Sequence, residues 1–226
     1  MESRVKVAVF DLDGTLIDSA PDIHAAANAA LAELGVEPLS LEMARGFVGA
    51  GAPVFVERMM EARALPATPE HHARLLERFI IHYHRAVGLT RPYPQALATL
   101  QALLDAGWQL GLCTNKPLGP TQAVLDHLDM TRFFSVVTGG DSLAQRKPDP
   151  APLHHTLARL GAERALFVGD SEVDAQTAHA AALPFALFTR GYRKASVESL
   201  RPAFAFDDHG ALREWCLSGA AARAVA

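Results

Sequence analysis

Short apolar runs recur along the chain at wide spacing, and few polar residues interrupt them. They are VKVAVF at 5–10, WQLGLC at 108–113, FSVVTG at 134–139, ALFVG at 165–169 and FALFT at 185–189. Runs that are continuously hydrophobic, rather than alternating with polar residues, are typical of strands buried on both faces of a sheet. The pattern therefore predicts five central strands.

Helical patterns lie between these runs. Helices are expected over Pro94–Asp105, Leu118–Leu128, Pro152–Leu160 and Glu172–Ala182. A regular alternation of strand and helix predicts an α/β fold with a doubly wound, Rossmann-like parallel sheet.

The stretch from Ile17 to Gly88 breaks this alternation. It contains no strand-like run, and its apolar positions recur at helical spacing instead. The pattern predicts three or four helices, which is more chain than a simple crossover needs. We therefore expect residues 15–89 to form an inserted helical cap that acts as a substrate lid. Residues 1–14 and 90–226 would form the core, with 90–94 as the return hinge.

Composition and charge narrow the class of protein. The chain has 226 residues, half of them apolar, and a formal charge of −4, so it lacks the basic surface of a nucleic-acid-binding protein. It has no apolar run of membrane-spanning length, and its N-terminus does not resemble a signal peptide. Two cysteines, Cys113 and Cys216, do not make a disulfide framework. We expect a cytoplasmic monomer or small homo-oligomer with no membrane partner.

A polar cluster follows each of four predicted strands. Because the carboxyl ends of parallel strands share one edge of the sheet, these clusters are expected to converge there. Carboxylate oxygens suit Mg²⁺, whereas hydroxyl and ammonium groups suit phosphate. The clusters are Asp11-Leu12-Asp13-Gly14-Thr15, Thr114-Asn115-Lys116, Lys147-Pro148-Asp149-Pro150 and Gly169-Asp170-Ser171-Glu172-Val173-Asp174.

The motifs DLDGT, TN, KPDP and GDSEVD, in that order, resemble those of the haloacid-dehalogenase superfamily of phosphatases. The resemblance implies that Asp11 is the nucleophile that attacks phosphorus. It implies that Asp13 is the general acid toward the leaving alcohol and then the base for water. Thr114, Asn115 and Lys147 would bind the phosphoryl group.

The same resemblance implies a Mg²⁺ site. Asp170 would bind the ion together with the Asp11 side chain and the Asp13 backbone carbonyl. Asp174 would support the metal site by contacting these ligands rather than the ion. Closely spaced histidines such as His71 and His72 are interpreted as residues on the surface of the helical cap rather than as metal ligands. Asp18 and Ser19 are interpreted as a helix cap with no chemical role.

The segment FVGAGAPVFVERMM at 47–60 is similar to a loop and helix of phosphoglycolate phosphatases. The resemblance implies that Gly49 and Gly51 let backbone N–H groups approach a small anionic substrate, and that Arg45 pairs with its carboxylate. The alternative is a plain helix–helix loop, in which Pro53 opens the next helix. Ala50 and Pro53 depart from the residues that many relatives carry.

We therefore expect a Mg²⁺-dependent hydrolase of a small phosphorylated metabolite, with 2-phosphoglycolate favoured. The alternatives are a sugar-phosphate phosphatase or a β-phosphoglucomutase-like phosphomutase of the same superfamily. A non-enzymatic alternative is a phosphate-binding regulatory module on the same fold.

Overall fold

The first apolar run forms a strand in the middle of a six-stranded parallel sheet, in a computed structural model that describes residues 6–225. The strands of the chain are β1 (Val7–Phe10), β2 (Ile17–Asp18), β3 (Arg91–Pro92), β4 (Gln109–Cys113), β5 (Val136–Thr138), β6 (Leu166–Gly169), β7 (Phe185–Phe188) and β8 (Phe204–Phe206). The order across the sheet is β5–β4–β1–β6–β7–β8. All neighbouring strands in it are parallel, as the sequence predicts.

The helices are α1 (Ala20–Ala32), α2 (Leu41–Phe47), α3 (Ala52–Ala62), α4 (Pro69–Tyr83), α5 (Ala96–Asp105), α6 (Leu118–His127), α7 (Ala151–Leu160), α8 (Glu172–Ala180), α9 (Val197–Leu200), α10 (His209–Leu217) and α11 (Ala220–Val225). Helices α1–α4 follow β1 and precede the rest of the sheet, in the stretch where the sequence predicts three or four helices. No helix in the described range is both long enough and apolar enough to cross a membrane.

Strand β1 is buried on both faces because its side chains alternate between two hydrophobic clusters. Ala8 and Phe10 pack in one cluster, whereas Val7 and Val9 pack in the other. This double burial explains why the run is continuously hydrophobic. The chain runs outward from β1 through β4 to β5 and then returns to place β6 on the other side of β1. The strand order thus reverses beside β1, where ligands of such sheets bind.

The helices α1–α4 have a hydrophobic cluster of their own. Its largest buried side chains include Leu31, Phe55, Met59, Leu75 and Phe79. The rings of Phe55, Phe79 and Tyr83 form a continuous stack, with centroids 5.1 and 5.0 Å apart. A core that packs within residues 23–83 accords with an inserted unit, although the boundaries at 14/15 and 89/90 stay a prediction.

The two chain connections between the sheet and these helices run side by side. Strands β2 and β3 pair antiparallel, with Ile17 opposite Pro92 and Asp18 opposite Arg91. The sequence predicts no strand in 17–88, whereas β2 lies at Ile17–Asp18. A two-residue strand is too short to produce a periodic pattern.

Two further elements near the C-terminus have weak signals in the sequence. Strand β8 has only three residues and joins the sheet edge beside β7. The Ala-rich tail, which on composition suggests a frayed end, forms α11 and buries Ala221 and Val225 against the core. Small apolar residues suffice there because the helix lies close to its neighbours.

The start of α1 is fixed to the returning chain by one buried carboxylate. Asp22 is 4% exposed and accepts hydrogen bonds from the Thr90 amide at 2.6 Å and the Thr90 hydroxyl at 2.6 Å. It also accepts from the Leu89 amide, at 3.0 Å. The three donors belong to Leu89 and Thr90, where the chain leaves the helical insertion, so Asp22 joins the first helix of the insertion to the returning chain.

Replacing Asp22 by alanine is expected to lower the free energy of unfolding by about 2–4 kcal/mol, because buried donors are left without an acceptor. Urea unfolding followed by circular dichroism measures the change. The exposed Glu61→Ala is the control, with an expected effect of about 0.5 kcal/mol or less. Equal stability of the two variants would contradict this account of Asp22.

Candidate active site

Asp11, the residue after β1, lies beside a buried lysine. Lys147 Nζ donates to Asp11 Oδ1 at 2.8 Å and to Asp174 Oδ1 at 2.7 Å. Burial alone lowers the pKa of Lys147, but Asp11 and Asp174 raise it above its ordinary value, so the ammonium stays charged. The loop after β5 thus supplies a cation to carboxylates from two other strand ends.

Asp170 and Asp174 come from the junction of β6 and α8. Asp170 accepts from the Thr15 hydroxyl at 2.9 Å and from the Tyr192 amide at 2.6 Å. Asp174 Oδ2 accepts from the Ser171 hydroxyl at 2.6 Å and from the Asp170 amide at 3.2 Å. Ser171 and Asp174 also form a capping box at the start of α8. Asp174 therefore stabilises the helix end while its other oxygen faces Lys147.

Three carboxylates form a cluster that could hold a metal ion. Asp11, Asp170 and Asp174 each offer one oxygen, and these oxygens lie within 4.8 Å of one another. All three side chains are buried, and Lys147 is the ammonium that contacts two of them. Three carboxylates against one ammonium leave an excess of negative charge that a cation would compensate.

The pKa directions agree with this excess of charge. Burial raises the pKa of Asp11 to about 7, with Asp174 and Asp13 adding to the rise and Lys147 opposing it. Burial and the charges of Asp174 and Asp11 raise the pKa of Asp170 well above its ordinary value. A bound cation would favour the ionised carboxylates. Oxygen-only donors of this kind fit a hard cation such as Mg²⁺.

The backbone approaches Asp170 closely from two sides. Gly14 has φ +86°, and a Cβ built there would overlap the Asp170 carboxylate. A Cβ at Gly191 would overlap both Asp170 and the Gly14 carbonyl. Glycine at these two positions lets two loops close around the carboxylate.

Asp13 faces a second buried lysine. Its Oδ1 accepts from the Ser19 hydroxyl at 2.5 Å and from Lys116 Nζ at 3.1 Å. Lys116 Nζ also donates to the Tyr83 hydroxyl oxygen at 2.5 Å. Lys116 follows β4, whereas Tyr83 ends α4, so this contact joins the sheet to the helical insertion.

The prediction that Asp18 and Ser19 cap a helix is confirmed in position only, because Ser19 makes no side-chain capping bond, and the absence of a chemical role stays a prediction. Ser19 does precede α1, but its hydroxyl bonds to Asp13 rather than to the helix. Asp18 accepts from the Tyr192 hydroxyl at 2.7 Å and pairs with Arg45 at 2.9 Å. Its contact with the Ala20 amide is longer, at 3.4 Å.

Thr114 and Asn115 lie at the end of β4, next to the carboxylates. The Thr114 hydroxyl accepts from the Lys116 amide at 3.2 Å. Asn115 bonds twice to Lys147: its Nδ2 donates to the Lys147 carbonyl at 2.9 Å, and its Oδ1 accepts from the Lys147 amide at 3.0 Å. Its Nδ2 also donates to the Gly49 carbonyl, at 3.0 Å. Asn115 therefore orients the lysine loop and contacts the helical insertion.

A pocket lies between the sheet edge and the helical insertion. The cavity volume is about 40 Å³, which is room for about three waters. The sheet side of the lining is polar, whereas the helical side contributes apolar side chains and two glycines. The lining includes Asp11, Asp13, Thr114, Asn115, Lys116, Ile23, Gly49, Gly51, Phe55, Phe79 and Tyr83.

The predicted substrate-binding residues divide into two groups. Gly49 and Gly51 line the pocket with φ +117° and +90°, in the loop between α2 and α3. The loop also has the features of a simple connection, with Pro53 in the first turn of α3. Arg45 is not among the lining residues: it pairs with Asp18, and its side chain is 46% exposed.

Sequence reasoning missed the contacts of Lys116, Tyr83, Ser19 and Tyr192. Lys116 belongs to one of the polar clusters, but nothing in the sequence links it to Asp13, which lies 103 positions earlier. Tyr83 ends an amphipathic helix and resembles any core residue in the pattern. Only the fold brings Lys116, Ser19 and Tyr192 to the carboxylates and Tyr83 to Lys116.

The chain is similar to known proteins over most of its length. Residues 5–182 match the family described as haloacid dehalogenase-like hydrolase. A phosphoglycolate phosphatase from Cereibacter sphaeroides is 51% identical over 205 residues, which cover 90% of this chain and 94% of the relative. A phosphoglycolate phosphatase from Rhodospirillum rubrum is 43% identical over 217 residues, covering 93% and 90%.

A solved structure has the same arrangement. The crystal structure of a predicted phosphoglycolate phosphatase from Haemophilus somnus superposes with a TM-score of 0.88 at 30% identity, over 95% of this chain and 99% of that one. The family match, the shared fold and the clustered carboxylates at the switch point agree. This chain belongs to the haloacid dehalogenase-like hydrolase family.

Proposed function

We propose that the protein is a Mg²⁺-dependent phosphomonoester hydrolase that acts through an aspartyl-phosphate and favours 2-phosphoglycolate. The observation that carries the proposal is that Asp11 and Asp13 line one pocket and that each is paired with a buried lysine. Lys147 contacts Asp11 on one side, and Lys116 contacts Asp13 on the other. The names of the relatives at 51% and 43% identity support the substrate.

In the first step, an Asp11 carboxylate oxygen attacks phosphorus and the bond from phosphorus to the substrate's alcohol oxygen breaks. Asp13 gives its proton to that oxygen as it leaves. In the second step, Asp13 takes a proton from water, the water oxygen attacks phosphorus, and the bond to Asp11 breaks. Inorganic phosphate is released and both aspartates return to their starting forms.

A phosphomonoester dianion and a carboxylate nucleophile repel each other, so the site must offset negative charge before attack. Lys147 supplies one positive charge next to Asp11, and the Thr114 hydroxyl would donate to a phosphoryl oxygen. For Asn115 to bind the phosphoryl group as well, its Nδ2 would have to release the Gly49 carbonyl. Asp11, Asp170 and the Asp13 carbonyl would hold Mg²⁺, with Asp174 as support. The ion would neutralise charge on the phosphoryl group.

The pocket favours a small substrate. Its helical side is mostly apolar and offers few hydrogen-bond partners to the several hydroxyls of a sugar ring, so it suits a leaving group of two carbons better. A phosphate-binding regulatory module would have no need of both Asp11 and Asp13.

We further propose that residues 15–89 act as a lid over the substrate, since more than half of the residues that line the pocket belong to this segment. Gly49 and Gly51 would present backbone N–H groups to the anion, and Arg45 would lie at the rim. Cys113 and Cys216 are both buried free thiols, which accords with a reducing cytoplasm.

Phosphate release from 2-phosphoglycolate is expected to exceed release from glucose 6-phosphate and β-glucose 1-phosphate by tenfold or more, and to stop in EDTA. A colorimetric phosphate assay with Mg²⁺ and with EDTA measures both. Re-addition of Mg²⁺ after EDTA is the control and should restore turnover. Faster release from a sugar phosphate would contradict the assigned substrate while leaving the aspartate chemistry in place.

Asp11→Asn is expected to lower kcat by about three orders of magnitude or more, because the amide is a poor nucleophile. The exposed Asp129→Asn is the matched control and should keep the activity of the unchanged protein. Trapping of phosphate on the protein, followed by intact mass after an acid quench, should give a phosphorylated species only when Asp11 is present. Turnover by Asp11→Asn at an unchanged rate would exclude Asp11 as the nucleophile.

A further inference from the structure

We propose that Lys116 and Tyr83 bind the second anionic group of the substrate, the carboxylate that lies beyond the leaving oxygen. This inference rests on the proposed function and names the residues that would give it selectivity. It assigns to these two residues the role that sequence reasoning gives to Arg45.

Lys116 is a charged group in the pocket that the phosphoryl chemistry does not use. Its side chain is only 3% exposed, and it lines the cavity together with Tyr83. An ammonium so deeply buried is costly unless it is paired. Asp13 is one partner, at 3.1 Å, and the Tyr83 hydroxyl oxygen is another, at 2.5 Å. An ammonium has three donors, so one remains for a ligand.

The position of Lys116 relative to the leaving oxygen favours a carboxylate ligand. The leaving oxygen must come within hydrogen-bond distance of Asp13 to receive its proton. Lys116 Nζ is 3.1 Å from the same Asp13 carboxylate. In 2-phosphoglycolate, a single CH₂ group separates the leaving oxygen from the carboxylate. A cation adjacent to Asp13 is therefore placed for an anion one carbon away.

The surroundings would strengthen such a contact. Ile23, Phe55 and Phe79 line the helical side of the pocket with apolar surface, and a charge-assisted hydrogen bond gains strength where the surroundings are of low polarity. The Tyr83 ring stacks on the Phe79 ring, with centroids 5.0 Å apart, and this stacking holds the Tyr83 hydroxyl next to Lys116. The Tyr83 hydroxyl can use Lys116 as its donor and direct its own proton to a carboxylate oxygen.

Arg45 is the competing candidate, and its contacts favour another role. Its guanidinium pairs with Asp18 and lies over the Tyr192 ring at 5.7 Å, on the exposed side of α2. It does not line the pocket with Lys116. To reach the substrate, Arg45 would have to leave the Asp18 carboxylate, whereas Lys116 is already in the cavity.

The test measures binding rather than turnover, so that it does not depend on the hydrolytic steps. 3-Phosphonopropionate has the shape of 2-phosphoglycolate with a CH₂ group in place of the scissile oxygen. Propylphosphonate has the same length but ends in a methyl group. Calorimetric titration of the full chain with Mg²⁺ gives the ratio of the two Kd values, which isolates the carboxylate.

We expect the unchanged protein to bind 3-phosphonopropionate at least about tenfold more tightly than propylphosphonate, the effect of one charge-assisted hydrogen bond. Lys116→Met should reduce this ratio to about one and change the Kd of propylphosphonate less than about threefold. Lys116→Arg should keep a ratio above that of Lys116→Met, and Tyr83→Phe should lower the ratio several-fold. The exposed Lys194→Met is the matched control, with no change expected.

Three results would overturn the proposal. One is a ratio near one in the unchanged protein. A second is an equal loss of affinity for both ligands in Lys116→Met, which would mean that Lys116 acts only on Asp13. A third is loss of the ratio in Arg45→Ala while Lys116→Met retains it. If Lys116→Met fails to fold by circular dichroism, Tyr83→Phe decides, and an unchanged ratio overturns the proposal.

Failure of the proposed function would look different. The unchanged protein would then select 3-phosphonopropionate through Lys116 but release no phosphate from 2-phosphoglycolate. Conversely, turnover of 2-phosphoglycolate with a ratio that does not depend on Lys116 would leave the function in place and remove Lys116 from substrate recognition.

Discussion

The burial of several carboxylates at one edge of a hydrophobic sheet is the constraint on which the rest of the structure depends. Asp11 and Asp174 tolerate burial because Lys147 Nζ lies within 2.8 Å of both. One ammonium does not compensate three carboxylates, so the cluster is poised for a further cation. The charge that would be costly to the fold is the charge that a phosphoryl-transfer site requires.

The loops around the cluster are shaped by that constraint. Asn115 holds the backbone of Lys147 in place by two hydrogen bonds, and Ser171 caps α8 while it orients Asp174. Gly14 and Gly191 admit Asp170 where any side chain would collide. Each of these residues fixes the position of a charged group that takes part in the proposed chemistry. Precise placement of charge is what distinguishes such a site from a polar turn.

The sequence was most informative where a physical requirement produces a hydrophobic pattern or a fixed order of motifs. Strands buried on both faces must be continuously hydrophobic, so the five central strands could be predicted. The order of the four polar motifs located Asp11, Asp13, Lys147 and Asp170 together. Strand β8 was not predicted because it lies at the sheet edge and is buried at one residue only, so it has no need of a continuous apolar run. Strands β2 and β3 were not predicted because each has only two residues.

Contacts between the sheet and the helical insertion could not be predicted from the sequence. Tyr83 and Lys116 are 33 positions apart, on elements whose relative position depends on the packing of the whole insertion. The same holds for Tyr192, which reaches Asp18 across 174 positions. Arg45 shows the converse: its charge and its place beside a glycine loop suggested a substrate contact, but the nearer Asp18 is its partner.

The pairing of β2 with β3 has a mechanical consequence. Both chain crossings lie in one antiparallel ribbon, so the helical insertion is attached along a single line rather than at two separate points. Motion about that line would be a hinge rotation with one principal axis. The Asn115–Gly49 and Lys116–Tyr83 hydrogen bonds join the two sides of the pocket. Any rotation that separated those sides would have to break both of these bonds.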